Sequence, residues 1–143
     1  IRNKRFYVAE RLARPKPYLA GADTDRYRVW IKDWKVERLP DGRHRLRART
    51  PEFAVALTLA SQKPPVLHGK DGLSQKADCR GCASHYYSLT RLVGDGTVAL
   101  FDSADDKPLP VSAKAWMDHE FGSNQLTANQ AGWDWFSVQL EPS

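Results

Sequence analysis

Long apolar runs are missing from this sequence. No stretch approaches the roughly 20 residues that a helix needs to cross a bilayer, so no transmembrane segment is read. Cysteine is nearly missing too, with Cys79 and Cys82 the only two among 143 residues. A single C-x-x-C pair falls short of the ligand set of a structural zinc site unless His68 and His85 complete it. A thioredoxin-type centre needs its pair at a helix N-terminus, whereas this one lies in the loop Asp78-Cys79-Arg80-Gly81-Cys82 ahead of a predicted strand. A local disulfide or two free thiols therefore comes first, a metal second and redox catalysis last, and a disulfide suits an exported protein. The Walker phosphate loop, the dinucleotide fingerprint, H-E-x-x-H and the G-x-S-x-G elbow are all missing. The glycines of His68-Gly69-Lys70-Asp71-Gly72 lack the spacing of a phosphate loop and read as a turn. No repeat, low-complexity tract or linker interrupts the chain. No strand–helix alternation supports a parallel α/β sheet.

What is present is strand signal. The length suits one domain with a real core. Tyr27, Val29 and Ile31 alternate with polar residues. Trp34–Leu39 and His44–Ala48 flank the turn Pro40-Asp41-Gly42, a hairpin pattern. Phe53–Ala60 is a near-continuous apolar strand ended by Pro64-Pro65. Ser84–Val93 is expected to turn at Asp95-Gly96 into Thr97–Phe101. A polar loop over Asp102–Lys107 leads to Val111–Phe121, and a loop over Gly122–Gly132 leads to a last strand, Trp133–Leu140. Arg5–Ala13 reads as an amphipathic helix or a strand end. Many short strands between turns predict an all-β, antiparallel sandwich or barrel. The 22 basic residues against 17 acidic ones give a net charge of +5. Arg43, Arg45, Arg47 and Arg49 share one strand face and read as a solvated exterior. A nucleic-acid stripe would carry a known motif and interleaved stacking aromatics, so no nucleic-acid partner is expected. The sequence sets no oligomeric state. It starts at Ile1 rather than Met and runs out at Glu141-Pro142-Ser143, so it is read as part of a longer chain.

Candidate chemistry concentrates in Ala115–Leu140, which holds three of the five tryptophans. As a strand, Ala115–Phe121 puts Trp116, Asp118 and Glu120 on one face with Lys114, and Met117, His119 and Phe121 on the other. His119 on an apolar face is either a core histidine bonded to backbone or a polar group aimed into a ligand cavity. Asp134 shares a face with Phe136, Val138 and Leu140; burial there would raise its pKa, as a general acid requires. Trp133 and Trp135 lie on the other face and would cap or rim a barrel end. Asp118 and Glu120 are either an acid–base pair or part of a salt-bridged exterior.

Three blocks then resemble the AttH/carotenoid 1,2-hydratase (hydroxyneurosporene synthase) family: Lys63–Lys76, Ala83–Leu92, and Trp116–Phe121 followed by Gly132–Phe136. The similarity runs from about Phe6 to Leu140. It implies two lipocalin-like antiparallel β-barrel halves, with this chain an incomplete first half. Further strands would precede Ile1 and follow Ser143, with the second barrel beyond. It also implies export to the periplasm or medium, a hydrophobic isoprenoid or lipid-like small molecule as partner, and hydratase or hydrolase chemistry with no organic cofactor. The chain is most similar to the branch labelled predicted secreted hydrolases. Cys79 and Cys82 depart from the Gly, Pro and Asn expected there. Under this reading Asp118 or Asp134 is the acid and His119 its partner or a water orienter. Tyr87, Trp116, Phe121, Trp133 and Trp135 bind substrate, and their rings stabilise a cation. A carrier for the same ligand is the alternative.

Overall fold

A computed structural model describes residues 6–101, 107–122 and 130–140 of the chain. Most of the polar loop expected at Asp102–Lys107, seven residues of the Gly122–Gly132 loop, Arg5 and the last three residues lie outside the described residues. Every strand pairing with a resolved register is antiparallel, and no helix occurs among the described residues. The all-β expectation holds. The chain divides into two compact units, Ile1–Ala60 with Val93–Ala113, and Ser61–Leu92 with Lys114–Ser143.

In the first unit β1 (Ala20–Ala22), β2 (Arg28–Ile31), β3 (Trp34–Arg38), β4 (His44–Arg49) and β5 (Phe53–Ser61) pair in chain order. Tight turns make that order possible. Lys32 joins β2 to β3 at φ 56°, and Gly42 turns β3 into β4 at φ 85°. Thr50 Oγ1 accepts the amides of Glu52 at 3.1 Å and Phe53 at 2.9 Å, bending the chain into β5. Register then sorts the side chains. Val29, Val36, Leu46 and Leu57 stand opposite one another in one row, while the next row carries Trp30, Lys35, Arg47 and Ala56 on the other face. Leu59 and Ala99 are the buried apolar residues of this unit. The arginine face is largely solvated as read: Arg43 pairs with Asp41, Arg45 with Glu37, and Arg49 lies over Phe101.

Where a hairpin is expected at Asp95-Gly96, the chain instead runs straight through β8 (Ala83–Leu100). The glycines explain it. A Cβ on Gly94 would lie 1.9 Å from Thr58 O, and one on Gly96 1.9 Å from Ala56 O. They are present because β5 passes against them, and they do not reverse the chain. Phe6–Ala13 forms neither helix nor strand.

In the second unit β6 (Val66–Leu67) and β7 (Leu73–Gln75) each pair with the first half of β8, and β9 (Leu109–Phe121) also pairs with β8. Leu89 and Leu92 are buried with Ser84 and Ser88. Cys79 and Cys82 form a disulfide in the β7–β8 connection. Trp133–Leu140, expected as a strand, makes no ladder. It is tied down by side chains: Gln139 Nε2 donates to Thr90 O and Ala115 O, each at 3.2 Å, and Arg91 donates to Leu140 O. Phe136, Val138 and Leu140 stay exposed, so the apolar surroundings expected for Asp134 do not exist. Among the described residues β1 forms a ladder with β2 and a single bridge from Ala20 to Lys16, and the sheet is not closed by pairing, as an incomplete barrel would leave it.

Candidate active site

Alternation along β8 and β9 puts Ser84, Tyr86 and Ser88 on the same face as Trp116, Asp118 and Glu120. Asp118 is the focus of that face. Its Oδ1 accepts from the Ser88 hydroxyl and, at 2.8 Å, from Trp116 Nε1. Its Oδ2 accepts from Trp135 Nε1 at 2.7 Å, and the Tyr86 hydroxyl bonds the same carboxylate. Four donors thus fill the acceptor capacity of one carboxylate. Burial pushes the Asp118 carboxyl upward and is the largest single influence. The hydrogen bonds from Ser88, Trp116, Trp135 and Tyr86 together outweigh it and hold the group below the usual carboxylate range. Burial and the neighbouring Asp118 charge raise the Tyr86 phenol in turn.

Glu120 is paired more simply. Ser84 Oγ donates to its Oε1 at 2.5 Å, and the Lys76 ammonium bonds the same oxygen. Burial pushes Glu120 up, and Lys76 and Ser84 bring it below its ordinary value. Lys76 also lies 5.1 Å from the Tyr86 ring centre.

A cavity of about 380 Å³ opens beside these groups, lined by Lys76, Tyr86, Asp118, Glu120, Trp133, Asp134 and Trp135 among others. The structure therefore brings Asp118, Asp134, Trp133 and Trp135 to one cavity. Trp116 bonds Asp118 and borders a second hollow of about 160 Å³ with Val138 and Leu140. Tyr87, His119 and Phe121 belong to the opposite face of the same strands. There His119 Nδ1 and the Tyr87 hydroxyl are 3.0 Å apart, and the Phe121 ring centre is 5.2 Å from those of both His119 and His85. Burial lowers the His119 pKa, so the neutral imidazole is favoured.

Two residues of the site carry no signal in the periodicity. Ser88 is fully buried under Asp118. His68 Nε2 lies 2.7 Å from Ser88 Oγ, and its ring stacks on Tyr86 at 3.9 Å. His68, Ser88 and Asp118 include the residue types of a hydrolytic triad but in another order. The serine stands between the other two and is sealed from solvent, so it is not placed as an acyl-transfer nucleophile. A larger hollow of about 790 Å³ in the first unit gathers Arg28, Lys32, Lys35 and Arg47 around Trp30, with Asp33 its one carboxylate. It offers charge without the converging donors and acceptors seen at Asp118.

Comparison with known proteins bears on this face. The AttH-like family profile matches residues 1–143. A crystal structure from Nitrosomonas europaea that carries the AttH designation superposes with a TM-score of 0.64 at 32% identity, over 71% of this chain and 30% of that one. The chain thus spans about a third or less of that relative's length. No curated protein matches it.

Proposed function

The chain belongs to the AttH-like family, and on that premise we propose that it carries the acid–base part of a site for a hydrophobic, isoprenoid- or lipid-like small molecule. Hydration or hydrolysis without an organic cofactor is the chemistry. The observation that carries this reading is the convergence of four donors on Asp118 at a cavity walled by exposed indoles. Such an arrangement holds a half-buried charge that a purely structural core would avoid. In the open cavity the donors win and Asp118 is ionised. An apolar molecule filling the cavity adds to the burial that already pushes the group upward, and so promotes the protonated form that could donate to a double bond. Trp133, Trp135 and Tyr86 present rings whose faces attract a developing cation. Asp134 at the cavity rim is the second carboxyl, placed to orient the entering water. On this reading Tyr87, His119 and Phe121 serve through the other face of β9, as a second aromatic surface for the ligand. The Cys79–Cys82 disulfide fits the export that the family resemblance implies.

A second reading has its own support. A carboxylate satisfied by four donors needs no proton to be stable, which is what a carrier requires. The natural protein, incubated with isoprenoid alkenes and with ester lipids and followed by mass spectrometry, separates the two. Asp118→Asn is expected to abolish product with ligand retention preserved, since the amide keeps part of the hydrogen-bond set. Retained turnover in that variant would sink the acid–base role. Binding without product in the wild type would establish the carrier.

A further inference from the structure

The proton inventory of the buried serine leads to a relay. Ser88 has one hydroxyl proton and gives it to Asp118 Oδ1. Its oxygen also meets the Tyr86 hydroxyl, which bonds Asp118 as well, and its contact to His68 Nε2 at 2.7 Å must then be supplied by an N–H on His68. We propose that His68 is the residue that passes protons to and from Asp118 through Ser88, an inference that rests on the reading of Asp118 as the proton-handling group.

The step balances without any other reactant. The imidazolium of His68 breaks its Nε2–H bond and a new O–H bond forms on Ser88. Ser88 breaks its own O–H bond and a new one forms on Asp118. His68 goes from cation to neutral, Asp118 from carboxylate to carboxylic acid, and the serine ends as it began. After Asp118 protonates a double bond and water adds, the proton released by that water passes to solvent, and His68 takes up another from solvent and restores the acid through Ser88. Net, one water is consumed.

The fold invests in placing His68. The turn after it holds Gly69, Asp71 and Gly72 at positive φ (67°, 53° and 88°), a rare cluster for a non-glycine member. A Cβ on Gly69 would lie 2.2 Å from Leu73 O. The His68 amide donates to Tyr86 O at 3.1 Å while the His68 ring stacks on the same residue. Ser88 is sealed, whereas His68 is only partly buried. The string therefore connects a partly exposed imidazole to a carboxylate that lines the cavity. The ionisable groups facing it are Tyr86 against the imidazole, Asp118 beyond Ser88, and Lys76 with Glu120 around Tyr86.

Nitrogen NMR of histidine-labelled natural protein tests the relay independently of any substrate. Neutral His68 is expected as the Nε2–H tautomer. Its Nε2–H resonance should move in Ser88→Ala, which removes the acceptor, and in Asp118→Asn, which changes the group that Ser88 donates to. An Nδ1–H tautomer, or an Nε2–H resonance indifferent to Asp118→Asn, overturns the proposal. A second arm uses His68→Gln, whose amide keeps a donor for Ser88 but cannot shuttle a proton. With an acyclic isoprenoid alkene as probe, kcat should drop by roughly a hundredfold, the scale of general acid–base catalysis, with KM little changed. Wild-type-like kcat in that variant also overturns the relay. No turnover in the wild type would count against the proposed function alone, and the NMR result would still decide the relay.

Discussion

Ser88 shows how much rests on one small side chain. It is fully buried, and its oxygen serves His68, Asp118 and Tyr86 at once. Ser88→Ala should lower stability by about 1–3 kcal/mol, because it strands a donor on His68 and weakens the satisfaction of Asp118. Urea denaturation of the natural protein would measure it, and a change within a few tenths of a kcal/mol would mean that water replaces the hydroxyl. Periodicity reveals only part of such a site. The alternation of Trp116, Asp118 and Glu120 puts the carboxylates on one face of β9, and the structure keeps them there. It says nothing about which strand lies opposite. Ser88 therefore looks like any polar residue in the strand pattern of Ser84–Val93, and His68 like a residue before a turn. His119 stands out in the sequence because its own strand neighbours are apolar, yet the hydrogen bonds gather on the other side of the strand.

At the scale of elements, the hairpin from Trp34 to Arg49 and the strands β5 and β9 follow from alternation and turn residues. Two features do not. Asp95-Gly96 has the composition of a turn, but Gly94 and Gly96 together are spaced by the strand period and accommodate the backbone of β5. Gly96→Ala should therefore destabilise by about 1–3 kcal/mol through overpacking, whereas a glycine needed only for a turn at negative φ would tolerate alanine. Thermal unfolding of that variant checks the point. Trp133–Leu140 has the alternation of a strand and none of its ladder. Side-chain donors, Gln139 and Arg91, fasten it through backbone carbonyls, and no period in the sequence announces bonds of that kind. The glycines and aspartate after His68 are read correctly as a turn, and the structure puts Gly69, Asp71 and Gly72 at positive φ within it.

Across the whole molecule, ionisation sets a pH profile that can be given a sign. His44 and His119 have pKa values lowered by burial, with Arg38 adding to the effect at His44. The unfolded chain binds their protons first, so their contribution is complete above about pH 6.5 and is lost as pH falls below it. Asp23, Glu37, Asp41, Asp118 and Glu120 are held low by hydrogen bonds and ion pairs, which at Glu37, Asp118 and Glu120 also overcome burial. Their stabilisation is present above about pH 4 and disappears as pH falls through their lowered values. Denaturation midpoints should decline in two stages on acidification, and His44→Gln should flatten the first. A single decline confined to strongly acidic pH would show that the imidazoles are solvated. The indole of Trp135 has a further consequence. It is more than half exposed at the cavity while its N–H is bonded to the carboxylate at 2.7 Å. A molecule entering there changes both the polarity around that chromophore and the charge on its partner. The natural protein should therefore report occupancy by a blue shift and a change in intensity of its own fluorescence, with no dye attached. Trp135→Phe should reduce that response to what Trp116 and Trp133 contribute, while Trp30 and Trp34 emit unchanged, and so turn a hydrogen bond of the site into an optical gauge of what fills it.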